Sequence, residues 1–338
     1  MRNTIRERQM RSWMEGNERR RELSVIAGVW LLTLTVMLML GHLVVLPKLV
    51  LSGDEPEYLL ISHSIYYDHD LDLKNNYNHR DYLRFFPFQL QPHRALNPGD
   101  QLYSFHAPGL PFIAVPFYLA GGRGGVVVLL NLCAALLAVQ LYRLARRTGA
   151  SRFGALAAWI SISFTLPVSI YSSMVYPEIP GALLYLSSLL LVLGNGDTGV
   201  PTRCRLILAG VMAGVLPWFH IRYAVLGVTL VGCCCLLHRR QRTILTFLAP
   251  YVALSGLFLW HQYSMFGHPF HLLMFADASS FTPAALKGMT GIIAGRVFGL
   301  LPHAPVYLLA LAGWYLLLVT DRRRFLLFTG LAAPYFYI

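Results

Sequence analysis

The chain has 338 residues, 56% of them apolar and only 13% charged, with a mean hydropathy of +0.52. That is about half the charge of an ordinary soluble domain, and it falls between long apolar runs, which excludes a soluble globular protein. The net charge of +12 does not indicate nucleic acid, because the basic residues sort by side of a membrane rather than clustering as one patch.

The first 23 residues are Arg-rich. The apolar span after them, about 24–46, is too long for a signal-peptide core and has no small-residue cleavage site, so it reads as an uncleaved signal anchor. A long segment, about 47–123, follows. In GDEPEYLLISHSIYY, Pro56 suits the first turn of a helix, with Asp54 and Glu55 at its positive end. Leu59, Leu60, Ile61, Ile65 and Tyr66 would form one apolar face, which predicts a short helix lying on the membrane surface. HAPGLPFIAVPFYLAGG is apolar from Pro108 to Ala120 but contains three prolines. At ~1.5 Å per residue it cannot cross a ~30 Å hydrocarbon core. It predicts a re-entrant or interfacial segment, with GGRGG as a tight turn. No strand precedes GGRGG and its spacing is wrong for a dinucleotide-binding loop.

Further spans are expected at about 124–144, 153–173, 179–195, 206–220, 222–238, 243–263 and 304–320, with a ninth apolar segment from 325. The stretch 206–237 is long for one crossing and short for two. Two short helices joined by PWFHIR keep HRRQR on the same side as the other Arg-rich loops. With the N-terminus in the cytoplasm, the inner segments hold 19 of the 28 basic residues and 6 of the 16 acids. These include Arg143, Arg146, Arg147, Arg152, Arg203, Arg205, Arg239, Arg240, Arg242 and Arg322 to Arg324. This is the positive-inside pattern, kept at every loop. The expected fold is an all-α polytopic membrane protein: a cytoplasmic segment 1–23, then one transmembrane domain 24–338 of about eight or nine helices. Its outer loops would be about 47–123 and 264–303. The five cysteines fall in helices or on the inner side, without disulfide or zinc spacing.

Eight of the 16 acids lie between Asp54 and Asp100, so the chemistry is expected on the outer face. The adjacent Asp54 and Glu55 sit beside an apolar surface, which favours a raised pKa and a general-base role. The alternative is helix capping by Asp54. Glu178, in SSMVYPEIPG, is the one acid between Asp100 and Asp197. An acid at a membrane boundary is costly, which favours function over a plain turn residue. His220 and Arg222, and further on Arg296 and His303, are scarce outer cationic groups beside apolar spans. They suit a phosphate at headgroup depth or simple snorkelling. Asp68, Asp70 and Asp72 form D-x-D-x-D, a weak metal candidate. Leu73 and His79 stand where an EF-hand requires Gly and Glu, so a solvated turn competes with a looser divalent site.

An Arg-rich N-terminus, one span and an outer loop opening on an Asp-Glu pair resemble the GT-C superfamily of membrane glycosyltransferases. The nearest pattern is the protein O-mannosyltransferase and aminoarabinose-transferase group. GDEPEYL, YSFHAPGLP, VYPEIPGALL, PWFHIRYA and FGLLPHAPVYLLAL also resemble uncharacterised bacterial membrane proteins related to those enzymes. The likeness covers most of the chain and rests on the order and sidedness of short motifs. Family members usually carry more spans, so a chain that stops in PYFYI reads as C-terminally incomplete.

The resemblance implies a GT-C-like bundle in the cell (inner) membrane. It implies inverting transfer of a sugar from a polyprenyl-phosphate donor to a lipid, glycan or protein acceptor on the outer face. It assigns Asp54 as base, and Glu55 and Glu178 as groups that orient acceptor or sugar. Arg222 and Arg296, with His106, His220 or His303, would hold the leaving phosphate. No cofactor is required and a divalent cation is possible; membrane lipids are the other partners, and nucleic acid is not one. A transporter or lipid flippase is the rival reading. It would place ionisable groups mid-span, where this sequence has almost none. A non-catalytic assembly subunit is a third.

Overall fold

A computed structural model of the protein describes residues 2–93, 99–194, 201–238, 240–270, 283–296 and 299–336. Arg239, Asp197, residues 271–282 of the second expected outer segment and the last two residues of PYFYI lie outside the described residues.

The described residues are helical, without a strand. In order they form α1 (Arg2–Met39), a π-helical continuation (Leu40–Val45), α2 (Leu46–Lys48), α3 (Glu55–Tyr67), α4 (Lys74–His79), a 3-10 turn (Asp81–Arg84) and α5 (Gly109–Arg147). Then come α6 (Arg152–Ser163), α7 (Val168–Tyr171), α8 (Glu178–Leu193), α9 (Arg203–Phe219), α10 (Tyr223–Leu237) and α11 (Gln241–Phe266). The chain continues through α12 (Pro283–Ala294), α13 (Leu300–His303), α14 (Leu308–Thr320) and α15 (Arg322–Phe336). Three helices are long and apolar enough to cross a membrane, Gly16–Lys48, Gly109–Arg147 and Gln241–Phe266. Their exteriors stay greasy: Leu31, Leu43, Val252, Leu257 and Trp260 are all exposed. Such a surface is compatible with a helical membrane protein, since lipid can cover it and water cannot.

α5 is the central element, much more buried than the other two long helices. Leu110, Val126, Val127, Leu130, Ala135 and Tyr142 along it are fully enclosed. α9 reaches its neighbours through small residues, Ala209, Gly210, Ala213 and Gly214. Gly210 lies against the Phe247 carbonyl and Gly214 against Tyr251 of α11. Close backbone approach of this kind lets helices hold together by van der Waals contact. Polar bonds fasten the periphery. The indole N–H of Trp159 donates to Thr33 at 2.9 Å, joining α6 to α1. At the Arg-rich end, Glu22 accepts from the Tyr142 hydroxyl at 2.8 Å and pairs with Arg146 and Arg152.

One local expectation is kept in part and two change. HAPGLPFIAVPFYLAGG is helical from Gly109, and that piece is set off from the span after it by a kink at Gly121 and Gly122, where two helices meet and the backbone leaves helical values. GGRGG is therefore a turn, tight enough to bring Gly125 against the Phe117 carbonyl. Pro111 lies in the first turn, where no N–H is needed, and Pro116 is accommodated within the helix. The expected span 153–173 is broken: α6 stops at Ser163 and α7 resumes at Val168, with Pro167 between them. Finally, α3 does not rest on a surface by one greasy face. Leu59, Leu60 and Ile61 are buried, and so are Glu55, Glu57, Ser62, His63 and Ser64 on its other sides. The polar side chains find partners inside, so the helix packs into the protein against α5. Ser62 donates to the Pro111 carbonyl at 3.3 Å, and the His63 ring lies 3.1 Å from the Tyr118 hydroxyl.

Candidate active site

Four of the motifs converge at the end of the bundle where α3, α5 and α8 begin and α9 ends. The Tyr176 hydroxyl lies between two groups of the first loop: it donates to the Ser52 carbonyl at 3.0 Å and accepts the Asp54 N–H at 3.3 Å. GDEPEYL is thereby tied to VYPEIPG. The His106 ring packs on Tyr58 at 4.9 Å, which brings YSFHAPG in. Gly109 abuts the Trp218 carbonyl, where a β-carbon would come within 2.5 Å. Gly181 faces the Tyr223 ring at the same spacing. PWFHIRYA therefore touches both the α5 and the α8 starts.

Asp54 stands at the N-cap position of α3 but makes no side-chain capping bond. Its side chain is 43% exposed, and its Oδ1 lies 3.4 Å from His93 Nδ1 and 3.7 Å from His106 Nε2. The two imidazole nitrogens are 3.3 Å apart. Glu55 is enclosed. One oxygen accepts the Ser52 N–H at 3.2 Å and the other the Val175 N–H at 2.8 Å, with Arg123 at 3.8 Å. Burial raises its pKa against these stabilising contacts. Glu55 thus directs both oxygens to the protein backbone.

Glu178 opens α8. Burial, with the Asp54 charge adding to it, pushes its carboxyl up to about 7. Its Oε2 is buried without a hydrogen-bond partner among the described residues. Burial, then the His93 and His220 charges, drives His106 down to about 3, so its ring is neutral at ordinary pH. His220, in the turn between α9 and α10, is depressed to about 4 by burial and by Arg222. Arg222 itself is exposed, and its backbone N–H meets the His220 ring at 3.2 Å.

The remaining candidates lie elsewhere. Arg296 is exposed just beyond α12. His303 is exposed at the end of α13, its ring 3.0 Å from its own turn's Gly299 carbonyl. No contact among the described residues joins either one to Asp54. The D-x-D-x-D acids fasten their loop. Asp68 accepts from Asn76 at 2.7 Å, Asp70 from Ser64 at 3.0 Å, and Asp72 from the N–H groups of Lys74 and Leu102 at 3.1 and 2.8 Å.

Two residues enter the site without having been singled out. His93 is held by its backbone N–H, which donates to Glu57, and by stacking on Phe105 at 5.5 Å. Glu57 is fully buried and also accepts from the Tyr77 hydroxyl. The available signal was slight: QPH, 13 residues ahead of FHAP, both in a segment rich in aromatics. No protein family, curated protein or solved structure matches this chain.

Proposed function

We propose that the chain is an inverting glycosyltransferase that moves a sugar from a polyprenyl-phosphate donor to an acceptor hydroxyl on the outer face of a membrane. The observation that supports this best is the half-exposed Asp54 carboxylate, held at the ends of apolar helices beside Glu178 and the neutral His106. An amphipathic donor needs a site at the interface, and a hydroxyl nucleophile needs a carboxylate within reach. In this reading Asp54 takes the acceptor proton as the acceptor oxygen attacks the anomeric carbon. The bond from that carbon to the phosphate oxygen breaks, and its electron pair leaves with the lipid phosphate. Arg222, His220 and His106 receive the phosphate. Glu178 orients the acceptor or the sugar, and Glu55 positions Asp54 by fixing the backbone before it.

The test is transfer from radiolabelled polyprenyl-phosphate sugars in membranes expressing the chain, with Asp54→Asn alongside. Label that reaches a lipid, glycan or protein acceptor only with the wild type supports the reading. Wild-type transfer by Asp54→Asn removes the base assignment, and no transfer from any donor shifts the case to transport or assembly.

A further inference from the structure

In the trio Asp54, His93 and His106 the two imidazole nitrogens are 3.3 Å apart, within hydrogen-bond reach. The two imidazole–carboxylate separations, 3.4 and 3.7 Å, are longer than the about 2.7–2.9 Å to which charge-assisted hydrogen bonds close. A tetrahedral zinc ion with bonds of about 2.0–2.1 Å holds its ligand atoms about 3.3–3.4 Å apart. The three donor atoms also face one another, each from a different segment of the chain. We infer that Asp54 Oδ1, His93 Nδ1 and His106 Nε2 form a three-ligand site for a divalent transition-metal ion, with zinc as the occupant that fits best.

The surroundings support the assignment. Two imidazoles and one carboxylate suit zinc and its first-row neighbours better than calcium or magnesium, which take oxygen ligands. Each ligand is fixed from behind. Tyr176 holds the Asp54 backbone, Glu57 holds the His93 N–H at 3.3 Å, and Phe105 and Tyr58 pack on the two rings. Such outer partners orient ligands before an ion arrives. With Asp54 at 43% exposure, a fourth position stays open to an oxygen ligand such as water, a hydroxyl or a phosphate. Open three-ligand sites are the catalytic kind. The ion would supply positive charge to that oxygen and leave the second oxygen of Asp54 free. The site is defined by its ligands alone and does not depend on sugar transfer.

The full chain in detergent, stripped with a chelator, is to be titrated with Zn²⁺. One equivalent is expected to bind, and Co²⁺ in its place to give the visible absorption of a four-coordinate N/O site. His93→Ala and His106→Ala should each weaken Zn²⁺ binding at least ~100-fold, the upper end of what loss of an outer-shell partner costs. The exposed His79→Ala should leave it unchanged. A second readout uses the wild type only, so that a misfolded variant cannot decide the matter: Zn²⁺ should protect His93 from diethylpyrocarbonate, mapped by mass spectrometry. The site is overturned by absence of stoichiometric uptake, by equal His93 modification with and without Zn²⁺, or by undiminished binding in the His93→Ala/His106→Ala double variant. Zn²⁺ binding with no sugar transfer would count against the transferase reading and leave the metal site standing.

Discussion

The Glu55 carboxylate accepts the backbone N–H of Val175 across 120 residues, at 2.8 Å. With its bond to Ser52, one enclosed side chain closes the first loop onto the turn that carries Glu178. Asp54 and Glu178 are neighbours because Glu55 is a fastener. Substituting Gln keeps one acceptor oxygen but turns an amide N–H₂ toward a backbone N–H. Glu55→Gln should therefore cost about 1–3 kcal/mol, the penalty for a buried donor left unpaired. The check is the thermal midpoint of the detergent-solubilised protein, and an unchanged midpoint would remove the fastening role.

A second relationship is steric. Gly53 has φ +57°, a left-handed conformation that costs other residues about 1–2 kcal/mol. A β-carbon there would also strike the Tyr176 hydroxyl, the group that holds Ser52 and Asp54. Gly53→Ala should be destabilised by more than the backbone strain alone. Tyr176→Phe removes the obstructing hydroxyl, so the double variant should lose less than the sum of the singles. Strict additivity in a double-mutant cycle would mean that the two groups do not meet.

Glu178 gives a pH dependence with a definite sign. Its folded pKa of about 7 lies above the ordinary 4.5, chiefly through burial. The folded protein therefore holds this proton more tightly than the unfolded chain does, and stability falls as pH rises from about 4.5 to about 7, then levels off. The loss attributable to this group is at most about 3–4 kcal/mol, taking 1.36 kcal/mol per pKa unit. Chelator-treated Glu178→Gln should flatten the stability profile over that window and exceed the wild type above it. The same slope in variant and wild type would place the titration elsewhere.

Much of this arrangement was legible in the chain. Pro56 after two acids marks the start of α3, and the Arg bias chose two helices around PWFHIR, as α9 and α10 bear out. What periodicity could not supply was tertiary. The polar residues of α3 look like a solvent face, yet Glu57 and His63 are buried against Tyr77 and Tyr118. His93 sits in an irregular stretch that no propensity describes. It reaches Asp54 only because Glu57 and Phe105 hold it there. A span with Ser, Thr and Pro near its middle reads as continuous by hydropathy, though Pro167 divides it.

The acids that most resembled a metal motif give the last expectation. Asp72 accepts two backbone N–H groups, from Lys74 at the start of α4 and from Leu102 across the loop. Its neighbour Asp70 accepts from Ser64 and from the Asp72 N–H itself. These bonds aim the carboxylates at different backbone groups rather than at a common point, so a cation would have to displace them. Asp72→Ala should lower stability by about 1–2 kcal/mol, as loss of a cap does, and leave Zn²⁺ uptake at one equivalent. Added Ca²⁺ should move the thermal midpoint of wild type and variant equally. A Ca²⁺-dependent rise in the wild type that disappears in Asp72→Ala would restore D-x-D-x-D as an ion site and count against its role as a loop fastener.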